Sequence, residues 1–212
     1  YKAILVHPAV RRQVNYSALN CQVNLRYNQS DETLIKGIYS LPPASYLIYE
    51  KGRMSIKKYY QLPVNLNFKM TEAEAIDGIR FHLQQSVRRQ LISDVPLGVY
   101  LSGGMDSSAL VAMMAAEKIR PINTFTLGFN ESTDEFDDAA VIARQFNTNH
   151  TTTALALEPL QYYPETIWYA EEPKINLLQG FHLSEFVSHS LKVVLGGLGG
   201  DELFIGYDIY RY

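Results

Sequence analysis

The residues with the clearest chemical potential lie in one short run, Leu101-Ser102-Gly103-Gly104-Met105-Asp106-Ser107-Ser108. Glycines at 103 and 104 let the backbone turn tightly and approach a ligand closely. The amides that open the helix after them point outward and favour negative charge. Ser102, Ser107 and Ser108 add hydroxyl donors. This chemistry suits a polyphosphate. Asp106 should repel such an anion, so a hard divalent cation such as Mg²⁺, bridging carboxylate and phosphate oxygens, is expected beside it. A bare Ser-Gly-Gly triplet is usually only a turn, but here the run sits between a strand pattern and a helix pattern, and that setting favours a binding loop.

A second glycine-rich run is Leu195-Gly196-Gly197-Leu198-Gly199-Gly200-Asp201-Glu202-Leu203-Phe204. Four glycines after a strand again allow close backbone approach, here to an adenine or ribose. Asp201 has two readings. It holds the cation from the side opposite Asp106, or it is an acid favoured at a helix N-terminus by the dipole. No Walker A stretch ending in Gly-Lys-Ser or Gly-Lys-Thr occurs, and no dinucleotide fingerprint follows a strand: the third glycine position after Gly197 and Gly199 is Glu202.

Other chemistry-bearing residues read as structural. His150 and His182 have no second histidine or cysteine at metal-ligand spacing. Asp134, Glu135, Asp137 and Asp138 read as the first turn of a helix. The 15 tyrosines are scattered as packing residues rather than a stacking platform for nucleic acid. Lys58, Arg88 and Arg89 read as solvated, and Trp168 as packing a helix onto a sheet. The single cysteine, Cys21, reads as a buried small residue in a helix.

The elements that must position these runs alternate. Leu97–Leu101 is a strand pattern, 107–118 a helix, 123–127 a strand, 134–146 a helix and 150–155 a strand. Helices follow near 159–170 and 177–190, then a strand over 192–195 and a helix opening at Asp201. Such alternation predicts βαβ units and a mainly parallel sheet, with ligands outside the carboxyl ends of its strands. Before it, Thr71-Glu72-Ala73-Glu74 is a capping box for a helix with Ile76, Ile79, Leu83, Val87 and Leu91 at helical spacing. Residues 61–70 read as a linker. Residues 1–60 read as the closing, β-rich edge of another domain, with Lys2–Val6 as a strand and residues 46–57 as a hairpin turning at Glu50-Lys51-Gly52.

The bulk properties set outer bounds. The 212 residues, 47 % hydrophobic and 19 % charged, suit a packed fold of ordinary domain size. A net charge of −3 gives no basic surface for nucleic acid. No apolar run is long enough to span a membrane, no signal peptide is recognisable, and a lone cysteine fits a reducing compartment, so a cytoplasmic chain is expected. Residue 1 is tyrosine, and Asp208–Tyr212 read like the middle of an element. The chain is therefore expected to be part of a longer protein and inactive by itself.

The two runs together resemble glutamine-dependent asparagine synthetase and its relatives. Residues 101–108 match that family's pyrophosphate loop. Phe125-Thr126-Leu127-Gly128-Phe129, Asp134-Glu135, Ala139, Ile142-Ala143 and Asn149-His150 look like its next strands and helix. Gly200-Asp201-Glu202-Leu203-Phe204, with Gly206-Tyr207, looks like its closing motif. Lys36-Gly37-Ile38, Leu41-Pro42-Pro43 and Tyr59-Tyr60 look like the end of its N-terminal-nucleophile glutaminase domain. The resemblance implies a Rossmann-like sheet of the ATP-pyrophosphatase (adenine nucleotide α-hydrolase-like) type over 71–212, and ATP and Mg²⁺ as cofactors. It implies amide formation through an acyl-adenylate: aspartate and ammonia from glutamine go in, and AMP and pyrophosphate come out. By the same resemblance Ser102, Gly103, Gly104, Asp106 and Ser107 would cradle pyrophosphate and metal. Leu101, Leu127 and Gly197 would line the adenosine pocket. Asp106 and Asp201 would be the catalytic, metal-holding acids, and a homodimer would be compatible with the type.

Three departures are specific. Where the family usually reads Ser-Gly-Asp/Glu-Gly, this chain has Gly196-Gly197-Leu198-Gly199, so the acid is a leucine. After Glu171-Glu172-Pro173 it continues Lys174-Ile175-Asn176-Leu177-Leu178. The glutaminase nucleophile is an amino-terminal cysteine, which the internal Cys21 is not. Leu198 also fits β-lactam and macrolactam synthetases, which share the adenylation but use another carboxylate and an internal amine. The lost acid likewise fits a nucleotide-binding module without turnover.

Overall fold

The computed structural model describes residues 1–63, 69–132, 134–156, 159–174 and 177–211. Half of the expected linker (64–68), Ile175-Asn176 of the departing stretch, and Tyr212 lie outside the described residues. The chain divides into two units, one of Tyr1–Phe68 with Ile167–Leu177, the other of Lys69–Thr166 with Leu178–Tyr212.

The first unit holds helix α1 (Lys2–Leu5), helix α2 (Tyr16–Leu25) and the antiparallel hairpin of β1 (Ser45–Glu50) and β2 (Arg53–Lys58). It is mixed rather than β-rich. Lys2–Val6, expected as a strand, is a helical turn: the Leu5 amide donates to the Tyr1 carbonyl at 3.0 Å and the Val6 amide to that of Lys2 at 3.2 Å. Asn15 starts α2 by accepting from the amides of Ser17 and Ala18 at 3.2 and 3.3 Å, the usual way a side chain satisfies first-turn donors. Cys21 is in that helix as expected, but only half-buried. In the hairpin, Lys51 and Gly52 both take positive φ (51° and 77°), the twist-matched geometry of a two-residue turn.

The second unit is the parallel α/β fold that the alternation predicts. Its strands are β3 (Leu97–Tyr100), β4 (Asn123–Gly128), β5 (Asn149–Ala154) and β6 (Val193–Leu195). They pair in the order β5-β4-β3-β6, all parallel. The chain runs outward from β3 to β5, then returns to add β6 on the other side. The order thus reverses at β3, where α/β sheets bind ligands. Connecting helices are α4 (Met105–Ala116), α5 (Phe136–Phe146), α6 (Pro159–Ala170) and α7 (Leu177–Ser188), with α8 (Gly200–Phe204) after β6.

Val99, Leu101, Val111, Met114, Ile122 and Ala139 are buried at the centre of this unit. Helix α3 (Glu72–Gln90) opens on the expected capping box, with Thr71 Oγ1 accepting from the Glu74 amide at 3.3 Å and Glu74 accepting from the Thr71 amide at 2.8 Å. Its apolar stripe is only partly covered. Val87 is buried, whereas Ile76 and Ile79 are 47 % and 40 % exposed. Arg88, expected to be solvated, pairs with Glu117 at 2.7 Å, because α3 lies beside the end of α4. Trp168, expected against the sheet, is 63 % exposed; its ring lies under the Lys2 ammonium at 5.4 Å. Among the described residues no helix is long and apolar enough to cross a membrane.

Candidate functional site

The first glycine run sits where β3 hands over to α4. Gly103 has φ +85°, the left-handed conformation that favours glycine. A Cβ there would come within 2.5 Å of Asp138 Cβ and 2.7 Å of the Ala139 amide nitrogen. The turn is therefore pressed onto the first residues of α5. Its inner face is tied by side chains. Ser107 Oγ accepts from the Ser102 amide and donates to the Gly104 carbonyl, each at 3.2 Å. Ser102 Oγ accepts from the Gly104 amide at 3.2 Å and lies 3.1 Å from Ser107 Oγ. With the Ser107 proton on Gly104, the Ser102 hydroxyl donates to Ser107. Ser107 is buried, so its hydroxyl serves the loop's shape rather than a ligand directly.

What the turn itself leaves for a ligand is main chain; Ser108 Oγ, one residue further on, is buried and makes no hydrogen bond among the described residues. Gly104 is the cap of α4, and the amides of Met105, Asp106 and Ser107 have no acceptor within the helix. They add to the positive end of a twelve-residue helix.

The second glycine run meets the first at Asp106. A Cβ on Gly197 would lie 2.9 Å from Asp106 Cβ, and one on Gly200 would overlap the Asp106 carboxylate. At Gly197 the close neighbours include the main chain of Asp106 and Ser107, which cannot turn aside, whereas a side chain at 200 would displace the Asp106 carboxylate. Asp201, the next residue, lies in the first turn of α8. Of its two readings, cation holder or helix-start acid, the helix-start position is occupied, and the approach at Gly200 brings its stretch of backbone to the Asp106 carboxylate. Among the described residues no three metal-ligating side chains converge. Asp106 borders the turn, whereas the Asp201 carboxylate lies against Gly206, where a Cβ would overlap it; carboxylate and phosphate oxygens together are the kind of oxygen-only set that suits Mg²⁺.

The remaining expected residues take different positions. Leu101 is buried in the centre of the sheet, its amide donating to the Phe125 carbonyl at 2.9 Å and its carbonyl accepting from Thr126 Oγ1. Leu127 lies half-buried near the carboxyl end of β4. Asp134 is not helical. It precedes α5 and closes the turn after β4 by accepting from the Phe129 amide at 2.9 Å and the Glu131 amide at 3.2 Å; Asp137 and Asp138 do occupy the first turn of α5. His182 is buried, bonded through Nδ1 to Glu185 at 3.1 Å. His150 Nδ1 lies 2.9 Å from Thr124 Oγ1 at the start of β4, and burial pulls its imidazole below the ordinary value.

Three features escape the sequence. Glu202 Oε2 accepts from the Gly199 amide at 3.0 Å, and its Oε1 accepts from Tyr207 Oη at 2.7 Å. The Tyr207 hydroxyl, and less strongly the Gly199 amide, hold the Glu202 carboxyl below its usual range; the same bond pushes Tyr207 up to about 12. The second is the seat of Gly103 on Asp138 and Ala139. The third is a cavity of about 230 Å³ lined by α3, α4, the second glycine run and α8. Leu83, Val87, Met113 and Leu203 face it, Leu198 lines it, and Asp106 is the one ionisable residue in its wall. Helical spacing on α3 and the acid at position 106 were both visible in the sequence, but nothing there joins them in one cavity.

The asparagine synthase family model matches residues 78–212. A putative glutamine-hydrolysing asparagine synthetase from Mycobacterium tuberculosis is 29 % identical over 94 % of this chain and 32 % of its own length. An asparagine synthetase from Bacillus subtilis is 27 % identical over the same shares. Amidase chyE of Penicillium rubens is 32 % identical over 84 % of this chain and 30 % of its own. The chain thus spans about a third of the length of these curated relatives. An NH3-dependent NAD synthetase from Campylobacter jejuni is a loose structural likeness, with TM-score 0.39 and 17 % identity over 65 % of this chain and 61 % of the other. With the matched segment running through both glycine loops and well past half of its residues, this chain belongs to the asparagine synthase family.

Proposed function

We propose that this chain carries the nucleotide part of an ATP-dependent amide-forming ligase. A carboxylate oxygen of the substrate attacks the α-phosphorus of ATP. The bond from that phosphorus to the bridging oxygen breaks, pyrophosphate leaves, and an amine then displaces AMP from the acyl-adenylate with loss of a proton. Negative charge gathers on the departing pyrophosphate. The first-turn amides of Met105, Asp106 and Ser107 are fixed before that charge appears, because the Ser102–Ser107 bonds already set the turn. Donors arranged in advance stabilise developing charge without reorganising. Asp106 and Asp201 would hold Mg²⁺, which supplies charge neutralisation between carboxylates and phosphate oxygens. Asp106 fits that role, its carboxylate standing at the start of α4 where an anion would otherwise be repelled; Asp201 enters the role through its place next to Gly200. Leu101, Leu127 and Gly197 belong to the same proposal as the adenosine side, Leu101 through its main chain.

The single observation that carries this reading is the convergence of both glycine loops on Asp106. The relatives named asparagine synthetase support aspartate as the carboxylate and glutamine as the nitrogen source. On that reading residues 1–60 close a glutaminase domain, 61–70 link it, and the enzyme works on small molecules in the cytoplasm.

A second reading has its own observation. Leu198 is 96 % exposed and lines the apolar cavity that Asp106 borders. An apolar substituent could bury itself there, which favours a bulkier carboxylate of the β-lactam or macrolactam kind. The test is to supply the full-length protein with ATP, Mg²⁺ and a panel of carboxylates, with glutamine or ammonia. AMP and pyrophosphate released with aspartate and glutamine supports the first reading. Release with apolar acids, independent of glutamine, supports the second. No AMP with any acid removes both.

A further inference from the structure

We infer that Glu202 is a positioning residue that, with Tyr207, clamps the second glycine loop against Asp106; its effect on catalysis rests on the function proposed above. The loop from Gly196 to Gly200 has almost no side chain of its own to hold it. Its one apolar side chain, Leu198, is almost fully exposed. Gly199 sits at φ +106°, with nothing within 4 Å of where a Cβ would be. Glycine backbones lose the most entropy on ordering, so such a loop needs an outside restraint.

Glu202 supplies it. One carboxylate oxygen takes the Gly199 amide, and the other takes the hydroxyl of Tyr207. Tyr207 is returned to that point by Ile205, which stands at φ +59°, and by the Gly206 amide donating to the Asp201 carbonyl at 3.0 Å. One carboxylate thus joins both ends of a nine-residue stretch with Gly200 and Asp201 inside it. Gly200 is the residue packed on the Asp106 carboxylate. Loosening Gly199 would let Gly200 drift from the Asp106 carboxylate. Glu202 touches no reacting atom in this account; it sets the distance between residues that do.

The test uses the full-length protein with Glu202→Ala, Glu202→Gln and Tyr207→Phe. Amide hydrogen exchange over residues 196–201 is read without nucleotide, so it stands whatever reaction the enzyme performs. Glu202→Ala should speed exchange there by roughly five-fold, the worth of one lost hydrogen bond, with the β3 and β4 amides unchanged. Tyr207→Phe keeps the ring and fold but removes one tether, and should give a smaller change of the same sign. Glu202→Gln keeps an acceptor and should restore part of the protection. In turnover, KM for Mg²⁺–ATP should rise more than kcat falls. Unchanged exchange in both Glu202→Ala and Tyr207→Phe would overturn the clamp. Faster exchange with unaltered turnover would overturn its catalytic role. Should Glu202→Ala fail to fold, Tyr207→Phe and Glu202→Gln decide.

Discussion

The two glycine loops reach the same carboxylate by opposite means. The loop at 102–107 is held from within: two serine hydroxyls satisfy its amides and carbonyl, and α5 presses on Gly103. The loop at 196–200 is held from without, by an acid three residues after Gly199 and a tyrosine five residues beyond that acid. The first is half-buried and shaped before any ligand arrives. The second is also partly covered, Gly196 and Leu198 apart, but its geometry depends on an exposed bond that solvent can contest. A rigid turn faces an adjustable wall, which would suit the proposed function, in which a constant diphosphate is gripped and a varied acid admitted.

That contrast can be broken at the rigid loop first. Gly103→Ala forces a side chain into α5 at a positive φ. Backbone strain and overpacking there should together remove about 2–4 kcal/mol of stability and most of the ordered turn. Chemical denaturation measures the first and nucleotide binding the second. Ser107→Ala removes the acceptor for the Ser102 amide and the donor to the Gly104 carbonyl without adding bulk. A loss of about 1–3 kcal/mol is expected from the groups left unpaired. The same Ala change at exposed Leu198 should leave stability nearly untouched and alter only the choice of acid. A stability loss at 198 equal to that at 107 would erase the distinction between the loops.

The smallest effect lies away from both loops. His150 is pulled below the ordinary imidazole value by burial. The unfolded chain therefore takes up this proton first as pH falls through about 6.5. Stability present above that value should decline as pH drops toward the folded-state pKa. Denaturation midpoints compared at several pH values, with His150→Gln as reference, check the sign. A steeper acid decline in the variant than in the native chain would reverse it.

Much of this arrangement is legible in the sequence because local chemistry decides it. Thr71 and Glu74 announce α3, and the run from Leu101 to Ser108 announces a strand, a turn and a helix start. Both depend on residues within one or two turns of each other. What fails is what depends on distant neighbours. Ile76 and Ile79 mark an apolar face, but spacing does not say whether anything covers it. Lys2–Val6 has the composition of a strand, yet with no partner strand among the described residues its backbone bonds close locally into a helical turn. Arg88 meets Glu117 only because α3 and α4 lie side by side. The tie between Glu202 and Tyr207 needs the chain reversal at Ile205, which no propensity at that residue foretells. Asp201 lies between these cases: its type suggests a cation, and the packing of Gly200 on Asp106 brings its stretch of backbone, but not its carboxylate, to the first loop.

The most direct test is binding of pyrophosphate with Mg²⁺ to the full-length protein, measured by calorimetry for the native chain and Asp106→Asn. Removing the charge that the proposed metal must bridge should abolish Mg²⁺-dependent binding, a loss of several kcal/mol, while the fold persists. Equal Mg²⁺-dependent affinity in both proteins would contradict the assignment of the diphosphate to this turn.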